Sequence, residues 1–337
     1  MTLAMVALTG AALGQSGCIG GSILSAQTTK VDNKTFTVTP GGRLVMDVDR
    51  GSIEVTTGAG DKVDIEVTRT ARSGSERDAE RLFDDHHISM EQQGNTVTIQ
   101  AELQRGGRRI WGSDSWRLNV EYHITVPKQF SVDLKTSGGG ITVADLEGEV
   151  LAKSSGGGLH FGHIKGPVTG RTSGGGIDLD GGEGNASVKT SGGGIRIGDV
   201  NGEVDAETSG GSITIARARG RVTAHSSGGG IKVEEVDGTI DASTSGGSVT
   251  ARITGQPKGN CRLETSGGSV TVYLGPSLKV SIDAKTSGGG VSTDLPLTVQ
   301  GKLGSSSLQG DLNGGGPLLT LRTSGGGIHL KALSAAP

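Results

Sequence analysis

A single sentence repeats along this chain. The serine of a Ser-Gly-Gly unit falls at 137, 155, 173, 191, 209, 227 and 245, so successive copies lie 18 residues apart. Copies follow at Ser266 and Ser287, each after 21 residues, and at Ser324 after 37, an interval that reads as about two turns. Residues 136–153 are TSGGGITVADLEGEVLAK and residues 190–207 are TSGGGIRIGDVNGEVDAE. A fixed period of this size means one small unit stacked on copies of itself. Within it Ile141 and Val143, Leu159 and Phe161, Ile177 and Leu179, or Ile195 and Ile197 enclose single polar residues: Thr142, His160, Asp178, Arg196. That alternation belongs to a strand with one buried face. A second strand follows a glycine, as in Val150 to Lys153 after Gly148, and a third short edge is expected near Leu146, Val200 and Val236.

Strands so short form no stable sheet alone. Stacked in register, each coil pairs with its neighbours at about 4.8 Å and equivalent residues form columns. Composition fits: 62 glycines, 32% hydrophobic and 2% aromatic residues suit either disorder or a core one side chain wide, and the period selects the core. The consecutive glycines suit a tight corner that needs positive φ or close backbone approach. The residue before each corner serine is always Thr or Ser, from Thr136 to Thr323, and its hydroxyl can satisfy the corner's backbone groups. The expected fold is all-β: a right-handed, single-stranded parallel β-helix, or β-solenoid, with coils of about 18 residues. Whether each coil has two or three sides stays open.

Residues 34–130 lack the repeat and read as an N-terminal β-rich capping region, with the solenoid over 131–332 and a tail at 333–337. Phe36–Val38, Leu44–Val48, Ile53–Thr57, Val63–Thr68, Thr96–Ala101 and Leu118–Val126 alternate as strands, and Gly51-Ser52-Ile53 resembles a degenerate repeat start. Ser75 to Asp85 reads as one helix with Ser75 as N-cap and acids in its first turn. Leu3 to Leu13 is an apolar run too short to span a bilayer. With Gln15-Ser16-Gly17-Cys18 after it, residues 1–17 resemble a bacterial lipoprotein signal, Cys18 the lipid-anchor residue and 18–33 a tether. Gln15 stands where Leu is usual, and no Lys or Arg precedes the run, so plain secretion is the alternative. Either way the expected location is the cell envelope, outside the cytoplasm. With Cys18 lipidated, Cys261 is a lone thiol and stacking alone holds the fold.

The order of parts carries a resemblance. A GSIEV strand, a VTRTA strand, a short acidic helix, the run ITVPKQFSVDLKTSGGGITV and a closing GGGPLLTLRTSGGGIHL follow one another over residues 34–332. This order resembles the bacterial putative-adhesin family of β-strand-repeat proteins, a domain of unknown function. The resemblance implies a right-handed β-helix at the cell envelope and supplies no catalytic residues.

Chemistry is sparse. Thirty-two basic against 35 acidic residues leave a net charge of −3, which does not suit nucleic acid. The corner serine recurs ten times without a G-x-S-x-G frame, so it is a structural residue and no catalytic residue is assigned. No cofactor is expected. A metal is considered only at His160 beside Asp178 and His163 beside Asp145, against the commoner solvated-face reading. The outward position before each Thr or Ser reads Lys135, Lys153, Arg171 and Lys189 in four successive coils, then Glu207, His225 and Ser243. These cations either fan into water or form a basic stripe for an anionic polysaccharide, a lipid headgroup or an envelope protein. Residues 104–117 hold Arg108, Arg109, Trp111 and Trp116, which suit protein or sugar contact or else pack over the solenoid's end. The leading expectation is a non-enzymatic binding or structural module; a polysaccharide-active enzyme and a self-assembling scaffold are the alternatives.

Overall fold

The computed structural model describes residues 26–73, 75–103, 117–299 and 304–333. Cys18, Arg108, Arg109, Trp111 and Trp116 lie outside the described residues. The described residues form two long sheets, of 14 and 15 strands, and one helix, Glu76–Asp85. Among the described residues no helix is long and apolar enough to cross a membrane.

Each coil gives one strand to each sheet. In the first, Ile141, Leu159, Ile177, Ile195, Ile213, Ile231, Val249 and Val270 stand side by side in parallel register. In the second, Val132, Val150, Val168, Ala186, Val204, Val222 and Ile240 do the same. These columns are buried, and each fully buried Ile, Leu or Val contributes about 1.5–3 kcal/mol. The expected third edge is a continuation of the first sheet. In Leu159–Ile164 the inward residues are Leu159, Phe161 and Ile164, so the alternation skips a position and the strand bends there. Val200, Ala218 and Val236 continue that buried column beyond the bend.

At the corner, the Thr or Ser hydroxyl works in both directions. Thr208 Oγ1 donates to the Gly193 carbonyl of the preceding coil at 2.8 Å and accepts from Gly211 N of its own coil at 3.3 Å. Ser154, Thr172, Thr190, Ser226, Thr244 and Thr265 make the same inter-coil bond at 2.6–2.9 Å. Thr208→Val keeps the shape but leaves a half-buried carbonyl and a half-buried N–H without their partner, at a cost of about 1 kcal/mol or more. Urea unfolding should show that loss, whereas Thr208→Ser, the residue at positions 154 and 226, should stay close to the parent.

The corner glycines owe their place to close approach and not to positive φ. Among the described residues positive-φ glycines are Gly41, Gly51, Gly60, Gly94, Gly314 and Gly315, none of them in the ten repeat units. A Cβ on the middle glycine would instead lie 2.0–2.4 Å from the backbone of a neighbouring coil, from Gly139 through Gly326.

Both ends depart from chain order. The first coil, Gly42–Val48 with Ser52–Gly58, packs against Phe130–Thr136 and Ile141–Val143, and Ile53 meets Ile141 as a repeat start does. On its other side lies a later coil, Thr96–Leu103 with Leu118–Pro127. Antiparallel strands Lys62–Ser73, Ala26–Thr37 and His86–Gln93 then cover that end. The helix has Ser75 as N-cap, accepting from Asp78 N at 3.2 Å, and buries Ala79 and Phe83. Arg69 Nη1 donates to the carbonyls of Phe83 and His86 where the helix ends.

The 37-residue interval before Ser324 is not two further turns. Val280–Thr286 forms an antiparallel pair with Ser307–Leu312, and the chain then returns. Leu318–Thr323 slots between Cys261–Thr265 and Val280–Thr286, and Ile328–Ala332 between Val270–Leu274 and Val291–Thr293. The hydroxyl bonds record the same order: Thr323 reaches Gly268, and Thr286 reaches Gly326.

Candidate binding surface

The second sheet's outer face carries the predicted basic residues in one column. Register sets Asp47, Lys135, Lys153, Arg171, Lys189, Glu207, His225 and Ser243 in consecutive coils. The column is closed by acid at both ends. Lys135 Nζ donates to Asp47 Oδ2 at 2.8 Å and Lys189 Nζ to Glu207 Oε2 at 2.7 Å. Those hydrogen bonds hold both lysines above the usual ammonium range and Glu207 below the usual carboxylate range. Lys153 and Arg171, between them, are exposed and have no carboxylate within 4 Å among the described residues. Like charges one coil apart repel by roughly 1 kcal/mol in water, a modest cost that a bound anion would reverse. Beside them a shallow hollow of about 260 Å³ is lined by Thr169, Asn185, Ser187, Glu203, Asp205 and Arg221, among others. The free positive stretch is therefore two residues long, with hydrogen-bonding groups alongside.

The histidine and aspartate candidates do not converge. His160 and Asp178 are register partners, but the carboxylate nearest His160 Nε2 is Asp180, at 3.8 Å, while Asp178 meets Arg196 Nε at 3.5 Å. His163 Nδ1 lies 3.9 Å from Asp145 Oδ1, and that oxygen accepts from the His163 backbone N at 2.8 Å. Among the described residues no three His, Cys, Asp or Glu side chains are placed to hold a metal ion. Three outward acids of this face are taken by a cation: Asp199 and Glu235 by Arg217, and Glu234 by Lys232. The Lys232 hydrogen bond keeps Glu234 below the usual carboxylate range, so it is no candidate for a general acid at neutral pH.

One cluster is invisible in chain order. Arg252, Tyr273 and Lys331 are register partners on the first sheet, with Arg252 Cζ 5.1 Å and Lys331 Nζ 5.8 Å from the Tyr273 ring centre. Only the inserted last coil brings Lys331 there. The one available signal was Tyr273 itself, in a chain with two tyrosines.

The succession of one coil over residues 42–58, a helix-bearing cover and repeats to residue 332 matches a family model described as Toastrack DUF4097, over residues 43–331. The chain belongs to the Toastrack DUF4097 family. No curated protein matches the sequence. Similar solved structures include a "putative cell adhesion protein" from Clostridium sporogenes, 14% identical, covering 90% of this chain and 100% of its own, with a TM-score of 0.22. A "putative adhesin" from Bacteroides fragilis is 13% identical, covering 90% and 97%, with a TM-score of 0.28. A "putative lipid binding protein" from Parabacteroides distasonis is 14% identical, covering 90% and 97%, with a TM-score of 0.32. None of the three carries an assignment over to this chain.

Proposed function

We propose that this Toastrack protein is a non-enzymatic binding module of the cell envelope that presents its second sheet to an anionic polysaccharide. The observation behind this reading is the pair Lys153 and Arg171: exposed, in register and, among the described residues, without a carboxylate partner, between two lysines that are each held by an acid. Coils recur at about 4.8 Å, a spacing that lets successive charges of an extended polymer meet successive side chains. Arg171 adds a planar fork suited to a carboxylate or sulfate group, and Lys153 a point charge. Such a site gains strength from many weak contacts along a polymer.

Anchoring at Cys18 fits the same reading. Seven residues separate it from Ala26, where the first strand begins, and seven extended residues reach at most about 25 Å. A lipid there would hold the covered N-terminal end near the membrane and leave the repeat faces open to the surroundings.

The test is binding of the protein to acidic and neutral polysaccharides and to anionic vesicles, at roughly 50 and 200 mM salt. Binding to acidic glycans should weaken severalfold at the higher salt and disappear in the Lys153→Ser/Arg171→Ser variant. Unchanged binding by that variant would remove the column from the site. Vesicle binding without glycan binding would make the ligand a lipid surface.

A further inference from the structure

Beneath the N-terminal cover lies a group of buried polar side chains that the binding reading does not use. His86 stands where the helix Glu76–Asp85 passes into the edge strand His86–Gln93. Its side chain is 0% exposed, and neither ring nitrogen makes a hydrogen bond. The charged groups that act on it come from three segments, and a fourth, Leu118–Pro127, brings Tyr122 up to the same charges. Asp49, in the turn after Gly42–Val48, places Oδ1 3.8 Å from His86 Nε2, and its Oδ2 accepts from Leu103 N at 2.9 Å. Arg50 shares that turn. Arg69, 5% exposed, comes from Lys62–Ser73 and is held by Asp32 at 2.6 Å. Tyr122, 0% exposed, comes from Leu118–Pro127, and its hydroxyl also makes no hydrogen bond. His87 is the adjacent titratable group on the same strand.

We propose that His86 is the pin of a proton-sensitive joint, which holds the helix and the strand His86–Gln93 on the solenoid while neutral and releases them when protonated. A neutral imidazole can remain among these groups. An imidazolium there has no solvent, its nearest acceptor, Asp49 Oδ1, stands at 3.8 Å and outside hydrogen-bond distance, and it faces two guanidinium groups against that one carboxylate. Burial outweighs the pull of Asp49, and with Arg69, Arg50 and His87 it brings the His86 pKa from 6.5 down to about 4. The opened form, with the ring in water, then binds a proton more readily than the closed form. Opening is therefore unaffected above about pH 6.5, rises as pH falls, and levels off near pH 4. The full shift is about three hundredfold in the opening equilibrium. What opens is the second sheet's N-terminal edge, since His86–Gln93 is its last strand and covers Thr96–Leu103.

Amide hydrogen exchange, corrected for its intrinsic pH dependence, reads this directly in the intact protein. Residues 76–93 should lose protection by about two orders of magnitude or more between pH 7 and 4, while Ile195–Val200 in the central stack keeps its own. In His86→Leu the pH dependence of residues 76–93 should vanish. A variant-free measurement stands beside it: by NMR the His86 ring should titrate near 4. Titration near 6.5, or an equal loss of protection in the central coils, overturns the joint.

Discussion

Gly193→Ala is expected to destabilise the solenoid by about 3 kcal/mol or more, although it adds a single methyl group at a surface corner. Its Cβ would stand 2.3 Å from the Gly175 carbonyl oxygen and 2.4 Å from the Gly175 carbonyl carbon and Gly176 N. All three are backbone atoms, so no side chain can swing away. The strain can be relieved only by separating two coils, which stretches the ladders of both sheets and the hydroxyl bond from Thr190 to Gly175. The control is the adjacent residue. A Cβ on Gly194 meets Ser212 O at 3.2 Å, a tight contact that a shift of a few tenths of an ångström relieves. The chain itself carries serine at the equivalent positions 212, 248 and 269. Gly194→Ser should therefore cost less than about 1 kcal/mol. Urea unfolding of the two variants decides: equal stabilities would mean that coil spacing is slack and the corner is not the tightest point of the fold.

The second large effect concerns the inserted coil. Leu321 is 0% exposed and lies between Leu263 on one side and Ala284 on the other. Leu321→Asp puts a carboxylate among apolar side chains, an error of about 4–5 kcal/mol or more, enough to expel the strand. In a solenoid stacked in chain order such damage would stay with the final coil. Here the expelled coil is, among the described residues, the only parallel link between the stack and Val280–Thr286 with Val291–Thr293. Hydrogen exchange should show all of them losing protection together, while the coils from Val132 to Val249 remain closed. Retained protection over Val280–Thr286 would mean that this strand docks on Cys261–Thr265 by itself and that the insertion is dispensable.

The central fold was legible because every coil repeats one local solution. The 18-residue spacing fixes which side chains share a column, and that placed Lys135, Lys153, Arg171 and Lys189 side by side before any coordinates. The helix was legible for another local reason, a serine N-cap followed by acids. The ends were not, because insertion leaves no local mark. Thr286 follows Thr265 by 21 residues, as Thr265 follows Thr244, so spacing alone cannot tell direct stacking from stacking with a coil between. Nor does spacing reveal the carboxylates that clamp the basic column. Asp47 belongs to a coil 88 residues before Lys135, and only the return of the chain brings it alongside. His86, Asp49, Arg69 and Tyr122 meet for the same reason, through antiparallel strands that obey no repeat.

The order of the last coils also bears on how the molecule yields to force. A solenoid laid down in sequence can be peeled: tension on its C-terminal end breaks one edge at a time, and each coil removed presents the next as a new free edge. Here tension on the segment Leu318–Ala332 acts on a coil gripped from both sides, by Cys261–Thr265 and Val270–Leu274 below and by Val280–Thr286 and Val291–Thr293 above. Drawing it out shears two interfaces together, and the antiparallel strand Ser307–Leu312, which leads into this coil, is loaded with them. The far end of this rod is fastened as a wedge is, loaded across both of its faces.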